Sequence, residues 1–137
     1  MSKQNSKYRD ELETEYKSNI NNINGKIDEL RVQKCNLEKC YDELYDWYFG
    51  VVKELEPLKP FIAENSSVKD AQSLDHITDN LNQEYRQARN AVEKEIERVE
   101  SEEKAILRKK EEIEEQYQQD IFKIQEETKD ECNNSTE

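Results

Sequence analysis

Hydrophobic residues recur every seven positions from Tyr16 to Leu58, and a chain carrying such a stripe has to lay it against another helix. One set of positions reads Ile20, Ile27, Lys34, Tyr41, Tyr48 and Leu55. The set three residues further on reads Ile23, Leu30, Leu37, Leu44, Val51 and Leu58. This is a coiled-coil seam, with β-branched residues frequent in its first half and Leu dominant in its second.

Composition agrees with helices throughout. Charged residues make up 39% of the 137 positions, and there are only two Gly and two Pro. The apolar residues lie mostly in seams, too few outside them to build a multi-layer core. A net charge of −12 repels nucleic acid backbones and anionic lipid headgroups, which argues against both as partners. No run of about 18 apolar residues is present, so no transmembrane helix is expected. The first residues, MSKQNSKYRDELE, contain no apolar stretch of an ordinary secretory signal, so a cytoplasmic protein is expected, one that leaves, if it does, by a route reading a folded or helical signal. Cys35, Cys40 and Cys132 form no CxxC or Cys/His cluster and read as free thiols of a reducing compartment.

The spacing predicts a polar, frayed segment over 1–7 and a first helix over about 8–56. Gly25 lies on its outward face, a weak point in the stretch Asn21 to Gly25. Pro57 and Pro60 end this helix, because proline lacks a backbone donor and clashes with the preceding turn. A loop over about 57–69 follows, then a second helix over about 70–127 capped by Ser67 or Ser73. Residues 128–137 read as a disordered polar tail.

The second helix carries its own seam, Val92, Val99, Ile106 and Ile113, flanked by Ile96, Glu103, Lys110, Tyr117 and Ile124. With a turn centred between Ser66 and Ser67, facing residues have numbers summing to about 133. Ile20 then meets Ile113, Ile27 meets Ile106, Leu37 meets Ile96, Tyr41 meets Val92 and Tyr16 meets Tyr117. One register satisfies both seams, which predicts an all-α fold: an elongated antiparallel helical hairpin over 8–127. Lys34, Glu103 and Lys110 are polar exceptions within the seam. Lys34 and Glu103 lie in neighbouring layers, placed either to pair or to snorkel to solvent.

A two-helix hairpin buries one stripe of each helix, so apolar residues elsewhere are informative. Tyr45, Trp47, Phe49 and Val52 on the first helix, with Phe61 and Ile62 in the connection, form a candidate partner-binding cluster. The alternative is that the connection folds back over these rings as a cap. Leu107, Ile121 and Phe122 are further surplus near the other end.

Nothing marks a catalytic centre. His76 is the only histidine, and no nucleophile or metal ligand stands at an interpretable spacing from it. The many Glu pairs fit a solvated charged face. The chain reads as a non-enzyme, without cofactor or metal.

With Ile20, Ile23, Ile27 and Leu30, a Pro-containing break near the middle and a second long helix, the chain resembles the YwqH-like LXG-associated α-helical proteins of Gram-positive type VII secretion systems. The similarity covers most of the chain. It implies a targeting factor or chaperone that binds the helical N-terminal domain of an LXG-type toxin, in company with a second small helical protein, and is co-secreted with its client. It also implies a monomer or weak homodimer in isolation. The chain departs from the related WXG100 hairpins: Trp47-Tyr48-Phe49-Gly50 has one residue too many for W-x-G and lies in the seam rather than at the turn. Phe122 and Glu126 look like the aromatic-x-x-x-acid export signals of that system. The alternative from the seam alone is a self-associating coiled-coil scaffold, which would assemble without a client.

Overall fold

The computed structural model describes residues 2–134. It is all-α, with α1 Ser2–Leu55, α2 Leu58–Asn65 and α3 Val68–Asn134. Together α1 and α2 make one arm and α3 the other; the arms, over 4–65 and 68–130, pack against each other as a helical hairpin.

The connection differs from the expected loop over 57–69. Most of it is helical, because both prolines fall where a helix tolerates them. Pro57 sits at the N-cap of α2 with φ −67° and ψ −22°, and Pro60 lies in its first turn, where backbone N–H groups have no intrahelical acceptor. The chain is interrupted only briefly at Glu56 and Pro57, and the Glu56 N–H still donates to the Val52 carbonyl at 3.0 Å. The reversal itself is confined to Ser66 and Ser67. Ser66 is extended (φ −129°, ψ 171°), and its N–H donates to the Ile62 carbonyl at 2.9 Å. Ser67 caps α3: its carbonyl accepts from Asp70 N–H at 3.1 Å and Ala71 N–H at 3.2 Å, and its Oγ accepts from Asp70 N–H at 3.3 Å. The other cap candidate, Ser73, lies inside the helix and donates to the Lys69 carbonyl at 3.0 Å.

Both outer helix ends also run further than expected. α1 begins at Ser2 rather than residue 8, and α3 continues to Asn134 rather than stopping at 127. No proline or glycine interrupts either stretch, and residues 5–9 of α1 share a cleft with residues 122–132 of α3, so each end has a tertiary neighbour. Residue 1 and residues 135–137 of the expected frayed segment and tail lie outside the described residues.

The hairpin divides into two compact units, one up to Arg31 and from Ser101 onward, the other Val32–Glu100. In the terminal unit Ile23, Ile27, Leu30 and Ile124 are buried, and the Tyr16 and Tyr117 rings stack at 4.1 Å. In the turn unit Leu74, Tyr85 and Val99 are buried, Val99 with 0% exposure, and Tyr48 stacks on Tyr85 at 4.0 Å. Both stacks pair residues whose numbers sum to 133, as the seam register requires.

Candidate functional site

The candidate cluster in the turn unit is built on the last four turns of α1. Leu44, Tyr48, Val51 and Leu55 are half-buried and face the seam. A helix turns about 100° per residue, so residues off that stripe must emerge on one flank or the other. Tyr45 and Phe49, four apart, emerge together: their rings stack at 5.8 Å with 18° between planes, and they remain 51% and 47% exposed. The Lys53 ammonium lies 5.3 Å from the centre of the Phe49 ring, and Val52 is half-buried.

Trp47 is 53% exposed, but it is not part of this group. Two residues from Tyr45 amounts to about 200° of rotation, which puts the indole on the opposite flank of α1. Phe61 is exposed on α2 and Ile62 half-buried. Trp47 therefore does not share a patch with Tyr45 and Phe49. The azimuth along α1 carried this information in the sequence; grouping by proximity in number obscured it.

Next to the Tyr45–Phe49 pair is a feature that sequence reasoning missed: a cleft of about 350 Å³ lined by Glu38, Tyr41, Asp42, Glu93 and Ile96. The Tyr41 hydroxyl donates to Glu93 Oε1 at 3.3 Å. Burial and then the Glu93 carboxylate hold this phenol above its ordinary ionisation range, partly offset by Arg89. Tyr48 donates to the Asn82 side-chain carbonyl, fixing the ring that stacks on Tyr85. No one heptad set contains this cleft, since it needs a seam residue of each arm and the flanking carboxylates together.

The polar seam residues Lys34 and Glu103, placed by the sequence either to pair or to reach solvent, each form an ion pair across the arms. Lys34 Nζ lies 3.2 Å from Glu100, and Glu103 pairs with Arg31 Nε at 3.3 Å. Each bridge crosses between the arms within its own unit. The long cationic side chains reach the carboxylate on the edge nearest them, and Arg31, outside the seam, competes for Glu103.

In the terminal unit Phe122 and Glu126 line a cleft of about 620 Å³ with Asn5, Ser6, Arg9 and Cys132 among its other walls. Phe122 is 59% exposed and Glu126 is exposed. The four-residue spacing thus brings ring and carboxylate to one surface. Cys35, Cys40 and Cys132 are all exposed, as is His76. Among the described residues no group of His, Cys, Asp and Glu is arranged to hold a metal ion, and no helix is long and apolar enough to cross a membrane. No protein-family model, curated protein or solved structure matches this chain.

Proposed function

We propose that this hairpin is a non-enzymatic targeting factor or chaperone that binds the helical N-terminal domain of an LXG-type toxin and promotes its type VII secretion. The observation that carries the reading is the stacked Tyr45–Phe49 pair, about half exposed on a helix whose seam is already satisfied by α3. Two large rings held in a fixed arrangement on a helix flank offer apolar area at little entropic cost, as helix-on-helix recognition requires. Phe122 and Glu126, on the cleft of the terminal unit, serve as the export signal. The protein acts in the cytoplasm and travels with its client.

Light scattering on the purified chain, alone and mixed with an LXG N-terminal domain, tests this. A monomer or weak dimer that forms a complex of defined mass is expected. Stable self-assembly without a hetero-complex would instead favour a coiled-coil scaffold and overturn the proposal. Replacing Phe122 and Glu126 together by Ala should abolish export of the client while leaving the complex intact. Normal secretion of that variant removes the signal role.

A further inference from the structure

The flank of α1 that carries the Tyr45–Phe49 pair also carries the carboxylates of the neighbouring cleft. At about 100° per residue, positions 38, 42, 45, 49 and 52 fall within about 80° of one another, the width of one helix-contact stripe. The stripe begins in the cleft lined by Glu38, Tyr41, Asp42, Glu93 and Ile96 and continues into the exposed rings. Among the described residues, Glu38 and Asp42 have no ion-pair partner. Two cations near the flank have their own contacts. Arg89 lies 3.7 Å from Glu93 and 5.9 Å from the Tyr85 ring centre, and Lys53 sits over Phe49.

We propose that this flank docks a basic amphipathic helix of a partner protein, an inference that rests on the binding reading above and gives its client a chemistry. A Lys or Arg of the partner enters the cleft, its aliphatic stem along Ile96 and Tyr41 and its charge among Glu38, Asp42 and Glu93. Apolar residues one or two turns further along the partner cover Tyr45 and Phe49. Charge complementarity selects this occupant: a second copy of the chain brings a net charge of −12 and the same carboxylates to the contact. Trp47, on the opposite flank, stays outside the footprint.

The probe is a synthetic helical peptide of about 20 residues, built from Leu, Ala and Lys with Leu and Lys on one face, alongside a twin with Glu at every Lys. Calorimetric titration into the full chain should show binding of the Lys peptide and none of the twin. The pair Glu38→Gln with Asp42→Asn, and separately Tyr45→Ala with Phe49→Ala, should each weaken binding about tenfold or more. The distant pair Glu111→Gln with Glu115→Gln should change it less than about twofold. Trp47 fluorescence should not shift on binding. Equal losses in the distant pair, undiminished binding by the site variants, or a shifted Trp47 emission would each overturn the proposal. The substituted positions are all exposed, so circular dichroism should report an unchanged fold. An LXG-domain complex that forms and ignores Glu38→Gln with Asp42→Asn overturns the basic-helix inference and leaves the toxin reading standing. Site-specific peptide binding without any LXG complex overturns the toxin reading alone.

Discussion

At the scale of single residues, Val99 and Gly25 mark the two extremes of this molecule. Val99 is the one side chain among those described with no exposure, in a fold whose helices bury a single stripe each. Truncating it to Ala removes two carbon groups and leaves a void that few neighbours can fill. Val99→Ala should therefore lower stability by about 2 kcal/mol in a urea titration. Gly25 has a helical backbone conformation and open space where a Cβ would stand. Its cost is purely the entropy it loses on joining a helix. Gly25→Ala should stabilise the protein by about 0.5–1 kcal/mol and raise Tm by a few degrees in calorimetry. The outward placement of Gly25 was legible in the heptad pattern. The azimuthal separation of Trp47 from Tyr45 was legible there too, and needed only the same 3.6-residue period applied to residues outside the seam.

At the scale of elements, the turn shows how side-chain chemistry and backbone accounting together set helix ends. Ser67 supplies two acceptors to the first turn of α3, so Ser67→Ala should cost about 1 kcal/mol, read as a fall in thermal stability without loss of helix content. The prolines show the limit of reading breakers from sequence. They end α1, but they do not create a loop, because a proline in the first turn of the next helix forgoes a bond that no acceptor awaited. The ion pairs show a different limit. The register correctly faces Tyr16 with Tyr117, whose rings meet directly across the seam. It did not assign Glu103 to Arg31, since edge contacts depend on which side each long side chain lies. These bridges are substantially solvated, Arg31 more than half exposed, and each contributes little to stability.

At the scale of the whole molecule, the hairpin separates what stabilises the fold from what remains for recognition. The constant-sum register spends the main stripe of α1 on α3, so the surplus aromatic and acidic flank stands out against a background that needs nothing more. That flank could not be recognised from motif content. Its cleft joins residues more than 50 positions apart in the chain, Glu38 and Asp42 with Glu93 and Ile96. The two-residue reversal has a consequence of its own. The two tyrosine stacks pair residues whose numbers sum to 133, and the same pairing is available between two molecules in which α2 and α3 continue as one helix. Closed and exchanged forms would then share the same contacts and differ only in the conformation of Ser66 and Ser67 and in protein concentration. Replacing both serines by Ala, which favours continuation of the helix, should yield an exchanged dimer of twice the monomer mass by light scattering, its share growing with concentration. On this prediction, two hydroxyl-bearing residues would decide whether the register is read within one chain or across two.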